Sequence, residues 1–153
     1  MLNHSIDDPK IASVYLGTEN LAVNFPPTSP FSKEKEISFK DLSGTSFLVA
    51  QNVGFWGELF KTEIPNAKFL YQDDKKEYSQ LLNFSVMPYF TTNLTQIDDL
   101  WGKGLPKDRI IVPVSDKIAH QKFYACFLKK NKKRIEPLIE KLQNKWETVD
   151  NFD

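Results

Sequence analysis

The residues of this sequence best placed to do chemistry are binders rather than reactants. Gln51 and Asn52 offer neutral amide donors and acceptors, and Val53-Gly54-Phe55 stands where a helix is expected to begin. The first N–H groups of a helix lack intrahelical acceptors and carry the positive end of its dipole, so they suit a small carboxylate or another compact anion. Gly54 lets a ligand approach the backbone closely, and Trp56, one turn in, supplies an apolar wall. Thr91, Thr92 and Asn93 add hydroxyls and an amide from a second segment, residues 91–95, expected to close the site from the facing side. The candidate ligand-binding residues are therefore Gln51, Asn52, Val53, Gly54, Phe55, Trp56, Thr91, Thr92 and Asn93. A capped helix that binds nothing leaves the same pattern.

Reactive chemistry finds no footing. His4 and His120 have no Cys or His beside them at metal-ligand spacing, and both read as solvated surface residues. Cys126 lies inside an apolar run, where it is a small buried hydrophobe rather than a thiolate. The pairs Asp73-Asp74 and Asp98-Asp99 read as helix caps and solvated turns, and the run Lys129 to Arg134 as a solvated connection. No nucleophile elbow, phosphate loop or dinucleotide fingerprint is present. The chain is expected to be no enzyme and to need no cofactor or metal.

The elements that must position the binding residues follow from pattern. Phe47 to Ala50 is a short apolar run between Ser43-Gly44 and Gln51-Asn52, which marks a buried strand. Trp56, Leu59 and Phe60 recur at helical spacing behind it, with Asn52 expected as N-cap. A strand that empties into a helix start places the candidate residues at the carboxyl edge of a sheet, where ligands of open α/β folds bind. Upstream, residues 13–16 and 21–25 read as two strands split by a turn, Gly17-Thr18-Glu19-Asn20. Pro26-Pro27-Thr28-Ser29-Pro30 is a rigid connector. Phe39 to Leu42 reads as a helical turn stopped by Gly44. Downstream, Ala67 to Tyr71 is a strand. A helix capped by Asp73 or Asp74 runs to about Asn83, and Ser85 to Met87 forms a short strand ending at Pro88. Residues 89–105 are irregular. Arg109 to Val114 and Lys122 to Leu128 are strands, and a last helix begins near Glu136, with Pro137 in its first turn. This alternation predicts an α/β fold with a mixed, partly parallel sheet flanked by helices.

Composition sets the outer limits. With 153 residues, 41% hydrophobic and 26% charged, the chain is expected to form a single domain spanning 1–153, with polar tails at about 1–10 and 148–153. Twenty basic and twenty acidic side chains cancel, which argues against a dedicated nucleic-acid surface. One cysteine and no long apolar run fit a cytoplasmic protein away from membranes.

Residues 16–23 (LGTENLAV), the prolines at 27 and 30, residues 37–44 (ISFKDLSG) and Phe47 to Trp56 come in a telling order. Ser85 to Pro88, Ile110 to Val114, Phe123 to Leu128 and the helix to Trp146 continue it. In order and spacing these segments resemble the effector-binding (substrate-binding) domain of LysR-type transcriptional regulators, similar to type 2 periplasmic binding proteins. Asn83-Phe84-Ser85 stands where that family has a glycine-rich turn. The resemblance implies one complete lobe, the second of the bilobed fold, without the N-terminal winged helix-turn-helix or the start of the first lobe. It implies a truncated or free-standing sensor of a small, anionic effector, with a cleft open on one side and millimolar affinity. Direct DNA binding is not expected. Apolar surface from Val14, Tyr15, Val23, Tyr124 or the last helix is expected to drive homo-oligomer formation. The alternative is an oligomerisation or protein-interaction module that has lost ligand and DNA binding.

Overall fold

The computed structural model describes residues 1–51, 53–97 and 106–149. Among these, six strands form one sheet in the order β3-β2-β4-β1-β5, with β6 pairing the other half of β1. Strand β1, Ile11–Phe25, is the axis. Its second half lies between β4 (Tyr89–Thr92) and β5 (Ile110–Pro113), antiparallel to both, with Leu21 opposite Thr92 and Phe25 opposite Ile110. Its first half pairs with β6, His120–Leu128, from Ile11 opposite Leu128 to Asn20 opposite His120.

The turn expected at Gly17 to Asn20 is therefore not a turn. The register slips between Tyr15 and Gly17, so a β-bulge absorbs the irregularity and the strand runs on. Gly17 is needed for another reason. A Cβ there would lie 2.2 Å from Cγ of Trp146, whose ring packs on the bare backbone. The indole N–H donates to the Thr18 carbonyl at 2.9 Å, and the Gln143 side chain donates to the Tyr15 carbonyl at 2.7 Å. Turn-forming composition here signals a close approach.

Strand β2, Ser46–Ala50, is parallel to β3, Lys68–Gln72, across five pairs. Helix α1, Phe55–Glu63, joins them on one face, where Trp56, Leu59 and Phe60 bury against Leu21, Val23, Phe47 and Val49. Phe60 stacks on Phe90 with ring centroids 3.8 Å apart. Helix α2, Lys75–Phe84, covers the opposite face, with Tyr78 and Leu82 on Leu48, Ala50 and Tyr89. Asp74 caps α2 as expected, accepting from the N–H groups of Lys76 and Glu77.

Three boundaries differ from expectation. Ser85 to Met87 is not a strand; the strand is β4, just beyond Pro88, where irregular chain was expected. Its alternation puts Tyr89 toward α2 and Phe90 toward α1. The Ser85 and Met87 carbonyls accept from Arg109, whose guanidinium also reaches the Asn24 side chain and carbonyl. Residues 39–44 form turns rather than a helical turn, with Gly44 at φ 71°. Helix α3, Lys132–Glu147, starts four residues before Glu136, so Pro137 falls inside it. A 3-10 turn, Lys129–Asn131, leads in, and the packing of Ile135, Ile139, Leu142 and Trp146 on Leu16 and Phe123 outweighs one lost backbone bond.

The expected apolar surface is partly covered. Val23 is fully buried in the core, and Val14 lies beneath α3. Tyr15 stays 45% exposed beside Tyr124, edge to face at 5.8 Å, and Leu138 on α3 is 53% exposed. The two tails are held more than expected. Leu2 exchanges backbone hydrogen bonds with Tyr124, and Val149 is buried. Asn52, the Asp98-Asp99 pair, Trp101 and residues 150–153 lie outside the described residues.

Gly17→Ala should destabilise the protein by about 1–3 kcal/mol, because the new methyl overlaps a ring that cannot retreat. Urea denaturation measures it, and an unchanged midpoint would show that Trp146 does not bind the bulge as described.

Candidate functional site

The sheet opens at one place. Among the described residues, β2 and β4 share a single registered pair, Leu48 opposite Tyr89, with the Leu48 N–H donating to the Pro88 carbonyl at 3.0 Å. Helix α1 departs from β2 on one face and α2 returns to β4 on the other. The carboxyl ends of β2 and β4 therefore form the switch point of an open α/β sheet, where neighbouring connections diverge and leave a crevice. A hollow of ≈ 250 Å³ occupies it. Its floor is Leu48, Val49 and Ala50. Val53, Trp56 and Phe60 line the α1 side, Tyr78 and Leu82 the α2 side, Tyr89 to Thr92 and Thr95 the facing wall, and Glu19 and Leu21 the edge toward β1.

Of the residues expected to bind, Val53, Trp56, Thr91 and Thr92 meet in this hollow. Gln51 does not line it; its side chain is exposed and its N–H bonds the Gln72 carbonyl. Gly54 and Phe55 are exposed and stand outside it too. Gly54, at φ 59° and ψ −134°, precedes α1 with no side-chain cap, so the cap expected at Asn52 moves two residues along. Asn93 is fully buried and committed elsewhere. Its side chain accepts from the Asn20 N–H at 2.8 Å and donates to the Thr18 carbonyl at 3.0 Å, clipping the end of β4 to β1.

Glu19 is the group that sequence reasoning missed. Its carboxylate is half-buried at the cleft, accepting from the Thr92 hydroxyl and the Trp56 indole. Burial raises its pKa above the ordinary 4.5, and those two hydrogen bonds offset part of the rise. Within a segment composed like a turn, nothing marked it as inward-facing; the alternation Glu19, Leu21, Val23 was the available signal. Tyr78 and Tyr89 also have raised pKa values through burial, Tyr89 to about 12, with the Arg109 guanidinium 4.9 Å from its ring centroid opposing the rise. The Tyr89 hydroxyl is buried and without a partner among the described residues. No group of three metal-ligating side chains occurs among them either. Among the described residues that line the cleft there is no Cys or His, so what they offer is enclosure by apolar and aromatic walls with a few polar contacts at the rim.

No family model and no curated relative matches the sequence. Solved structures do match. The reduced OxyR regulatory domain from Pseudomonas aeruginosa superposes with a TM-score of 0.67 at 12% identity, covering 92% of this chain and 70% of that one. The regulatory domain of MetR, a LysR family regulator from N. meningitidis, gives 0.68 at 10% identity, covering 97% and 69%. The BenM effector-binding domain with its effector benzoate gives 0.66 at 15% identity, covering 98% and 69%. Against full-length OxyR the chain spans 46% of the length. The likeness is one of fold: a mixed α/β sheet flanked by helices, as in the effector-binding domains of LysR-type regulators. The expected resemblance is borne out at that level. No helix among the described residues is long and apolar enough to cross a membrane.

A raised folded-state pKa means the native protein holds the Glu19 proton more tightly than the unfolded chain does. The stabilisation from the protonated form is complete below the unfolded value and is lost as pH rises through the folded one. Glu19→Gln keeps an acceptor for Thr92 and Trp56 without the charge. It should raise the urea midpoint at pH 7 and match the parent near pH 4. A midpoint lowered at pH 7 would contradict this account of the carboxylate.

Proposed function

We propose that this chain is a ligand-sensing domain of the LysR effector-binding type, holding a small molecule in the cleft between the ends of β2 and β4. The observation that carries the reading is the hollow at the switch point, left unfilled by side chains and walled by residues from β1, β2, α1, α2, β4 and the turn that follows it. The fold shared with regulatory domains supports it, as does the effector bound to the BenM domain. Those neighbours are parts of transcription regulators rather than enzymes. We take such a domain to act in the cytoplasm, with the balanced charge of this chain leaving it no dedicated nucleic-acid surface.

A small carboxylate remains a candidate effector, since the start of α1 has no side-chain cap. It would have to approach past Glu19, a like charge at the same cleft. Affinity should be on the order of millimolar, about −4 kcal/mol, given a cleft open to solvent on one side. Titration with a panel of small acids, alcohols and amines, followed by amide shifts in NMR, tests the site. Shifts should cluster at Glu19, Val53, Trp56, Thr91 and Thr92. Shifts elsewhere, or none, would replace sensing by the protein-interaction reading.

That second reading has its own observation. Tyr15 and Tyr124 form an exposed aromatic pair on the face of β1 and β6 opposite α3. We infer that two copies associate through this apolar surface, most simply about a two-fold axis. Sedimentation should show a dimer whose population rises with concentration and falls in a Tyr15→Ser, Tyr124→Ser variant. A monomer at every concentration would sink it.

A further inference from the structure

Among the described residues that line the cleft, the charge is of one sign. Glu19 is held there by two neutral donors, the Thr92 hydroxyl and the Trp56 indole. Among the described residues no Lys, Arg or His lies within ion-pair distance of it; the ion pair they contain, Lys61 with Glu58, is on the exposed side of α1. A carboxylate drawn out of water without a counter-charge is costly, and a charged partner offsets that cost. The described cation near the cleft cannot turn to a ligand. Arg109 donates to Asn24, Ser85 and Met87 and lies against the Tyr89 ring. The residues that open α1, Gly54 and Phe55, do not line the hollow. Among the described residues that line the hollow, an anion would meet no cationic side chain and one carboxylate.

The walls complete the picture. Trp56, Phe60, Tyr78, Tyr89 and Phe90 all border the hollow, and the faces of aromatic rings attract a desolvated cation. At ≈ 250 Å³ the space is smaller than the ~300–1,000 Å³ typical of drug-sized ligands. We propose that the effector of this cleft is a compact organic cation, an ammonium on an aromatic or branched apolar body, with its charge on Glu19 and its body among these rings. The inference rests on the cleft being the effector site, and it reverses the charge expected from the start of α1.

Three near-isosteric probes that differ in charge test it on the full chain: phenethylamine, 2-phenylethanol and phenylacetate. Binding is followed by NMR shifts at Thr92 and Trp56 at pH 7. Phenethylamine should bind about tenfold tighter than the alcohol, with phenylacetate weakest, as a charge-assisted contact requires. Glu19→Gln should bring the amine to the level of the alcohol while the alcohol is unchanged. If phenylacetate binds tighter than phenethylamine, or the amine preference survives in Glu19→Gln, the cationic assignment is overturned and the effector site stands. If none of the three moves a cleft resonance, both the assignment and the site beneath it fall.

Discussion

Every residue of β1 carries a backbone donor and acceptor, and the way these are paired divides the molecule in two. From Leu21 to Phe25 the strand is flanked on both sides, by β4 and β5, and α1 packs on Leu21 and Val23. From Ile11 to Asn20 it pairs with β6, and α3 covers one face of that two-stranded arm. Both halves belong to one continuous backbone, and the bulge beside Gly17 bends the half that pairs with β6. The Trp146 ring lies on Gly17 and its indole is bonded to Thr18, which ties α3 to the bend itself. One residue further on is Glu19. The bulge and the cleft are thus parts of the same strand, two residues apart.

That arrangement explains why the cleft is held open. β2 is anchored to β3 over its full length, and β4 to β1, but the two pairs of strands touch each other at Leu48 and Tyr89. Beyond that point each strand follows its own partner, and the twist of the sheet separates their ends. Aromatic side chains fill the wedge only in part: Phe47, Phe60 and Phe90 stack behind it, leaving the rim hollow. The Asn93 clip keeps the end of β4 on β1 and so prevents collapse across the gap. Glu19 sits half-buried at this rim, where burial disfavours its charged form and the bonds from Thr92 and Trp56 offset part of that cost.

Much of this was legible from local pattern. β2, α1, β3 and α2 announce themselves because each is short, has a strong period and ends in a recognisable breaker, and Asp74 caps α2 as its type requires. The strand–helix junction pointed to the place where the hollow lies, and Val53, Trp56, Thr91 and Thr92 line it. What stayed hidden depends on contacts remote in sequence. Gly17 reads as a turn former until Trp146 is seen lying on it. The two threonines of β4 read as loop until β1 supplies their ladder. Pro137 argues for a late helix start until the packing of Ile135 and Ile139 is counted. Asn93 has the chemistry of a ligand contact, but its amide is already saturated by β1.

The division of β1 also has a consequence for how the chain assembles during synthesis. Residues 11–20 emerge first, yet their pairing partners lie about a hundred residues later, Asn20 with His120 and Ile11 with Leu128. At ribosomal rates of about 5–20 residues per second, that half of the strand waits on the order of ten seconds with an open edge. Closing so large a loop is slow even once the partner exists. The second half of β1 is relieved earlier, when β4 arrives. The nascent chain thus passes through a stage in which the β2-to-β4 region can pack while an unpaired strand, Tyr15 among its residues, projects from it. A chaperone or a neighbouring nascent chain would meet that strand before β6 does.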